Sequence, residues 1–124
     1  MNKKRPVNLQ LTTIRFPATA IVSILHRISG VILFLFLPVM LWILSLSLSS
    51  AEGFNALQTC LAAPGMKFIL WVMLSALAYH LVAGIRHLLM DFGWGEEKRS
   101  GKISAFFAMG LATILVILLG VLIW

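Results

Sequence analysis

The run I-S-G-V-I-L-F-L-F-L-P-V-M-L-W-I-L-S-L-S-L, residues 28–48, holds no charged residue and no histidine, and its reading decides the fold. An α-helix rises about 1.5 Å per residue and the hydrocarbon core of a bilayer is about 30 Å thick, so a run of this length spans it. Extended back to Ala18, it predicts a first helix over about 18–48. Two further apolar stretches, about Met66–Met90 and Ser104–Trp124, meet the same test. The expected fold is therefore an all-α membrane protein with three transmembrane helices, about 18–48, 66–90 and 104–124. They form a single membrane domain over 18–124, behind an N-terminal segment 1–17.

Composition agrees with lipid as the solvent. Of 124 residues, 60% are hydrophobic and 11% charged, with a mean hydropathy of +1.00; a soluble domain carries about 25% charged residues. This excludes a disordered chain, and the single cysteine excludes a disulfide framework or a zinc module built on cysteine pairs. Four acidic, ten basic and three histidine residues are too few for a large self-contained enzyme. The net charge of +6 does not point to nucleic acid, because no basic face with interleaved aromatics is visible.

The bases follow topology instead. Lys3, Lys4, Arg5 and Arg15 precede the first helix, and Lys98, Arg99 and Lys102 lie between Asp91 and Ile103, whereas the loop Ser49–Gly65 has no Lys or Arg. The positive-inside rule then puts the N-terminal segment and the second loop in the cytoplasm, and the first loop and the C-terminus on the other side of the membrane. Lys67 can snorkel at the outer end of the second helix, and Trp42, Trp71, Trp94 and Trp124 fall near interfaces as belt residues do. A cleaved signal peptide is not expected, since the first apolar run is too long for an h-region and lacks a small-residue cleavage site. Residues 1–17 are not read as a transit peptide. Their partly alternating apolar residues (Val7, Leu9, Leu11, Ile14, Phe16) suit an extended segment against a cytoplasmic partner.

Ionisable residues inside a membrane mark functional sites by default. On the first helix, Ser23, His26, Arg27 and Gly30 fall within an arc of about 100° near the cytoplasmic end. On the second, His80, Gly84, His87 and Asp91 fall within about 60°, flanked by Ala76 and Ala83, while Tyr79 and Arg86 share another direction. The third helix has neither charge nor histidine over 104–124 and reads as scaffold. His80 lies about ten residues, roughly 15 Å, inside the second helix, whereas His26 and His87 are expected near the cytoplasmic interface.

For His80 two readings stand: a structural histidine hydrogen-bonded to a neighbouring helix, or an axial haem ligand with room beside Ala76, Ala83 and Gly84 for a flat macrocycle. No other histidine is expected at its depth, so a second axial ligand would come from another chain. Ser23 and Arg27 suit either lipid headgroups or an oxygen-rich amphiphile such as a quinone head or a haem propionate. His26 is either a lipid-facing structural histidine or a proton donor to that same ligand. Arg86 can snorkel, pair with a partner's carboxylate or reach a propionate; Asp91 can cap a helix or neutralise local bases. Cys60, with no mate in the chain, reads as a plain small residue.

The strings R-P-V-N-L (5–9), F-P-A-T-A-I-V-S-I-L-H-R-I-S-G (16–30) and A-Y-H-L-V-A-G-I-R-H-L-L-M-D-F-G (78–93) resemble the cytochrome b membrane-anchor subunits of bacterial succinate dehydrogenase, respiratory complex II. The resemblance extends over nearly the whole chain, including the S-L-S-S-x-E-G-F loop (47–54) and the terminal Trp124. It implies an anchor domain within a heteromeric helix bundle in the bacterial inner membrane. In this family the first histidine of H-x-x-x-G-I-R-H ligates haem b, here His80, with the other axial histidine supplied by a second small membrane-anchor subunit. The Ser and Arg of S-I-x-H-R, here Ser23 and Arg27, bind ubiquinone near the iron–sulfur subunit, and Arg27 also lies near a haem propionate. His26 and His87 carry over as propionate or proton-path residues.

The implied activity is succinate:ubiquinone oxidoreduction. A flavoprotein subunit oxidises succinate, an iron–sulfur subunit passes the electrons on, and this chain helps hold the quinone without touching succinate or acting alone. No catalytic residue is assigned. Two other readings are a fumarate reductase-type structural anchor without haem and a small transporter subunit. The lack of a second acidic residue within the membrane weighs against coupled transport.

Overall fold

A computed structural model describes residues 10–124, the Leu11 side chain excepted. Lys3, Lys4, Arg5 and the R-P-V-N-L string lie outside the described residues. A short 3-10 turn (Leu11–Thr13) leads through extended residues to four helices: α1 (Ala18–Ser49), α2 (Ala51–Leu61), α3 (Pro64–Asp91) and α4 (Lys98–Ile123). No strand occurs among the described residues. Helices α1, α3 and α4 are the three long apolar spans, and the chain is a multi-pass membrane protein. At 32, 28 and 26 residues they are about 48, 42 and 39 Å long, so their ends reach the headgroup layers. Pro38 lies inside α1, and the helix continues through it.

Two boundaries depart from expectation. The region read as the outer loop contains the eleven-residue helix α2, started by Ser50, whose side chain accepts a hydrogen bond from the Gly53 N–H at 2.9 Å. α4 begins at Lys98 rather than Ser104, because a helix need not stop where its sequence turns polar. Lys98, Arg99 and Lys102 continue the backbone hydrogen bonding beyond the apolar stretch. The α3–α4 turn is a Schellman cap: Gly93 N–H donates to the Met90 carbonyl and Trp94 N–H to that of Leu89, with Gly93 at φ +85°. A side chain at Gly93 would strain this turn.

α3 packs against both α1 and α4, which also touch each other, and α2 lies across α1 and α3 at the far end. The core joins Val22, Ala83 and Ala105, one residue from each span, with Ala18, Tyr79 and Met109 packed around it. Most further buried positions on α3 and α4 are small (Ala76, Gly101, Ala108 and Ala112), with Met73 and Arg86 the larger ones. In lipid there is little hydrophobic drive between helices, so small residues that let backbones approach do the holding. Large apolar side chains such as Phe34, Leu35, Phe107 and Leu122 face outward. Trp42, Trp94 and Trp124 are exposed as belt residues are, but Trp71 turns inward and donates its indole N–H to the Val116 carbonyl at 3.0 Å. Gly120 makes this possible, since a Cβ there would lie 3.3 Å from the Trp71 Nε1.

Candidate functional site: a histidine groove between two spans

The antiparallel pairing of α1 and α3 brings all three histidines together. The His26 and His80 rings stack at 4.1 Å with 16° between their planes, and His87 stands 5.1 Å from His26, tilted by 49°. Each stacked ring sits over a glycine of the opposite helix: a Cβ at Gly30 would lie 3.1 Å from His80 Cε1, and one at Gly84 would lie 3.3 Å from His26 Nε2. Any larger residue at these two positions would push an imidazole aside. The three rings line a groove of about 340 Å³ with Leu81, Gly84, Ile85 and Leu88.

His26 therefore sits ring against ring with His80, not well apart from it along the helices. With α1 starting at Ala18, His26 lies eight residues, about 12 Å, inside one helix, and His80 lies eleven residues, about 16 Å, from the end of the other. The start of α1 at Ala18 is the expected one; what the sequence did not reveal is how α1 and α3 are slid against each other.

The His80 Nδ1 lies 3.0 Å from Ser29 Oγ and 3.2 Å from the His26 carbonyl, and Ser29 Oγ–H itself donates to that carbonyl at 2.7 Å. His80 Nε2 has no hydrogen-bond partner among the described residues. Sequence reasoning passed over Ser29, although it is buried at 5% exposure. Its signal was faint: it follows His26 by three residues, the spacing at which a hydroxyl reaches back along its own helix.

Ser23 is half-buried and Arg27 exposed. They stand on the neighbouring part of α1, outside the lining of the histidine groove, and neither has a hydrogen-bond partner among the described residues. Asp91, the exposed last residue of α3, is also outside it.

Arg86 differs from every role expected of it. It does not snorkel: it is 6% exposed, donates from Nε to Ser104 Oγ and from Nη2 to the Gly101 carbonyl, both at 3.1 Å, and ties α3 to the start of α4. The helix read as scaffold supplies these acceptors. Tyr79, on the same side of α3, donates its hydroxyl to the Val22 carbonyl of α1 at 3.1 Å. A larger, mainly apolar groove of about 550 Å³ runs between α3 and α4, but the guanidinium on its wall is already engaged.

The paired glycines under stacked imidazoles lie within the H-R-x-S-G and H-x-x-x-G-I-R-H strings. A family model described as "Succinate dehydrogenase/Fumarate reductase transmembrane subunit" matches residues 1–119. The chain belongs to that family. It is 50% identical over 125 residues to the succinate dehydrogenase cytochrome b556 subunit of Coxiella burnetii, covering 100% of both chains. It is 33% identical over 118 residues to the b556 subunit of Rickettsia typhi, covering 95% of this chain and 92% of that one. A cytochrome b560 subunit from Reclinomonas americana is 34% identical over 117 residues, covering 90% and 81%. These matches extend over nearly the whole of this chain.

Proposed function

We propose that this chain is a membrane-anchor subunit of succinate:ubiquinone oxidoreductase, that His80 is an axial ligand of a b-type haem shared with a second anchor subunit, and that Ser23 and Arg27 hold ubiquinone. The observation that carries the haem part is the His80 imidazole itself. Its Nδ1 is engaged by two oxygens, its Nε2 has no partner among the described residues, and the ring lines an open groove within the membrane. Such an imidazole suits iron, which takes neutral histidine nitrogen. A b-type haem held there would supply one-electron transfer. His26 and His87, whose ring nitrogens have no hydrogen-bond partner among the described residues, serve its propionates or a proton path.

Electrons reach the quinone from an iron–sulfur subunit, which receives them from a flavoprotein that oxidises succinate. This chain orients the quinone. The Ser23 hydroxyl and Arg27 guanidinium, one turn apart, donate hydrogen bonds to its carbonyl oxygens, and the fixed positive charge stabilises the negative charge that gathers there. Protons come from the cytoplasmic side, which the basic residues Arg15, Lys98, Arg99 and Lys102 mark, so the N-terminus is cytoplasmic and the C-terminus periplasmic in the bacterial inner membrane.

In the purified complex, Arg27→Leu should slow quinone reduction on the order of 10- to 100-fold, the worth of one charged hydrogen bond, while succinate oxidation by a soluble artificial acceptor persists. Equal loss of both activities would remove Arg27 from the quinone site. A reduced-minus-oxidised spectrum without a b-type band would remove the haem.

A further inference from the structure

We propose that Ser29 is a positioning residue for His80: with the His26 carbonyl it holds the imidazole proton on Nδ1 and so turns the lone pair of Nε2 outward to a ligand. The inference rests on the reading of His80 as a haem ligand. Its geometry stands on the hydrogen bonds alone. A carbonyl oxygen can only accept, and the Ser29 hydroxyl spends its one proton on the His26 carbonyl at 2.7 Å. Both atoms facing His80 Nδ1, the Ser29 Oγ at 3.0 Å and that carbonyl at 3.2 Å, therefore present lone pairs to it. A bare Nδ1 would oppose two lone pairs, so the proton sits on Nδ1 and Nε2 keeps its lone pair.

The backbone supports the same arrangement. The missing side chain at Gly30 lets His80 Cε1 approach α1 closely, and the stacked His26 ring closes one face of the imidazole. Ser29 thus sets which nitrogen binds, how the ring is turned and how strongly it donates. An N–H held by an oxygen makes an imidazole a stronger ligand, and losing such a partner weakens metal retention about 10- to 100-fold.

The test uses the intact purified complex carrying Ser29→Ala, Ser29→Thr or His80→Leu, with haem per complex, haem midpoint potential and the low-field signal of the oxidised haem in electron paramagnetic resonance as readouts. Ser29→Ala should raise the midpoint potential, because a weaker donor favours the oxidised iron less. It should also broaden the low-field signal and speed haem loss to an added acceptor protein about tenfold. Ser29→Thr, which keeps the hydroxyl, should restore all three. Wild-type potential, signal and haem loss in Ser29→Ala would overturn the proposal, and so would changes that Ser29→Thr fails to correct. Retention of the b-type haem in His80→Leu would instead overturn the underlying ligand assignment, so the two failures are distinct.

Discussion

On the face of α3 that meets α4, Arg86 is buried and both its hydrogen bonds reach α4, whereas on the face that meets α1 three imidazoles gather and only one ring nitrogen, His80 Nδ1, is engaged among the described residues. Both faces are polar in a setting where polarity is costly. The first spends two of its five donors on its neighbour and ties two helices together. The second keeps ring nitrogens available beside a groove, as a ligand site requires. On α3, polar residues are thus sorted by what their donors and acceptors do, and not by charge: the permanently charged Arg86 ties helices together.

Breaking the Arg86 side should have the larger effect on stability. Arg86→Met removes two interhelical hydrogen bonds, and at the modest value of such bonds in lipid this costs about 1–2 kcal/mol. The thermal midpoint of the purified complex should fall while the b-type spectrum keeps its shape. A changed haem spectrum with unchanged stability would place Arg86 in the site and erase the contrast.

A smaller and more local effect separates the two glycines. Gly30→Ala brings a methyl to 3.1 Å from the His80 ring, whereas Gly84→Ala brings one to 3.3 Å from His26. Gly30→Ala should therefore shift the b-type absorption band and lower haem content more than Gly84→Ala does. The reverse order would make His26, not His80, the ring whose placement matters.

The three spans were legible because an apolar run long enough to cross lipid has few alternatives. α2 was not, although Ser50 as a cap, Glu52 in the first turn and Phe54, Leu57 and Leu61 at helical spacing were its signals; the absence of Lys and Arg made the segment read as a plain outer loop. The histidine lane of α3 and the separate direction of Tyr79 and Arg86 followed from helical periodicity. What periodicity withholds is how one helix is turned and slid against another. The level of His26 beside His80, the Ser29 contact and the choice of α4 as the partner of Arg86 all depend on that register. The fate of Trp71 does too, since its acceptor lies forty-five residues away on another span.

On the proposed function, His80 binds haem iron while the buried Arg86 on the opposite face only holds helices together. Haem per chain, measured in the purified complex for His80→Leu and Arg86→Met side by side, tests it most directly. Near-complete loss of b-type haem is expected in His80→Leu, with the partner subunits still co-purifying, and a haem ratio close to wild type in the Arg86→Met complex that assembles. Full haem in His80→Leu, or its loss in Arg86→Met alone, would contradict it.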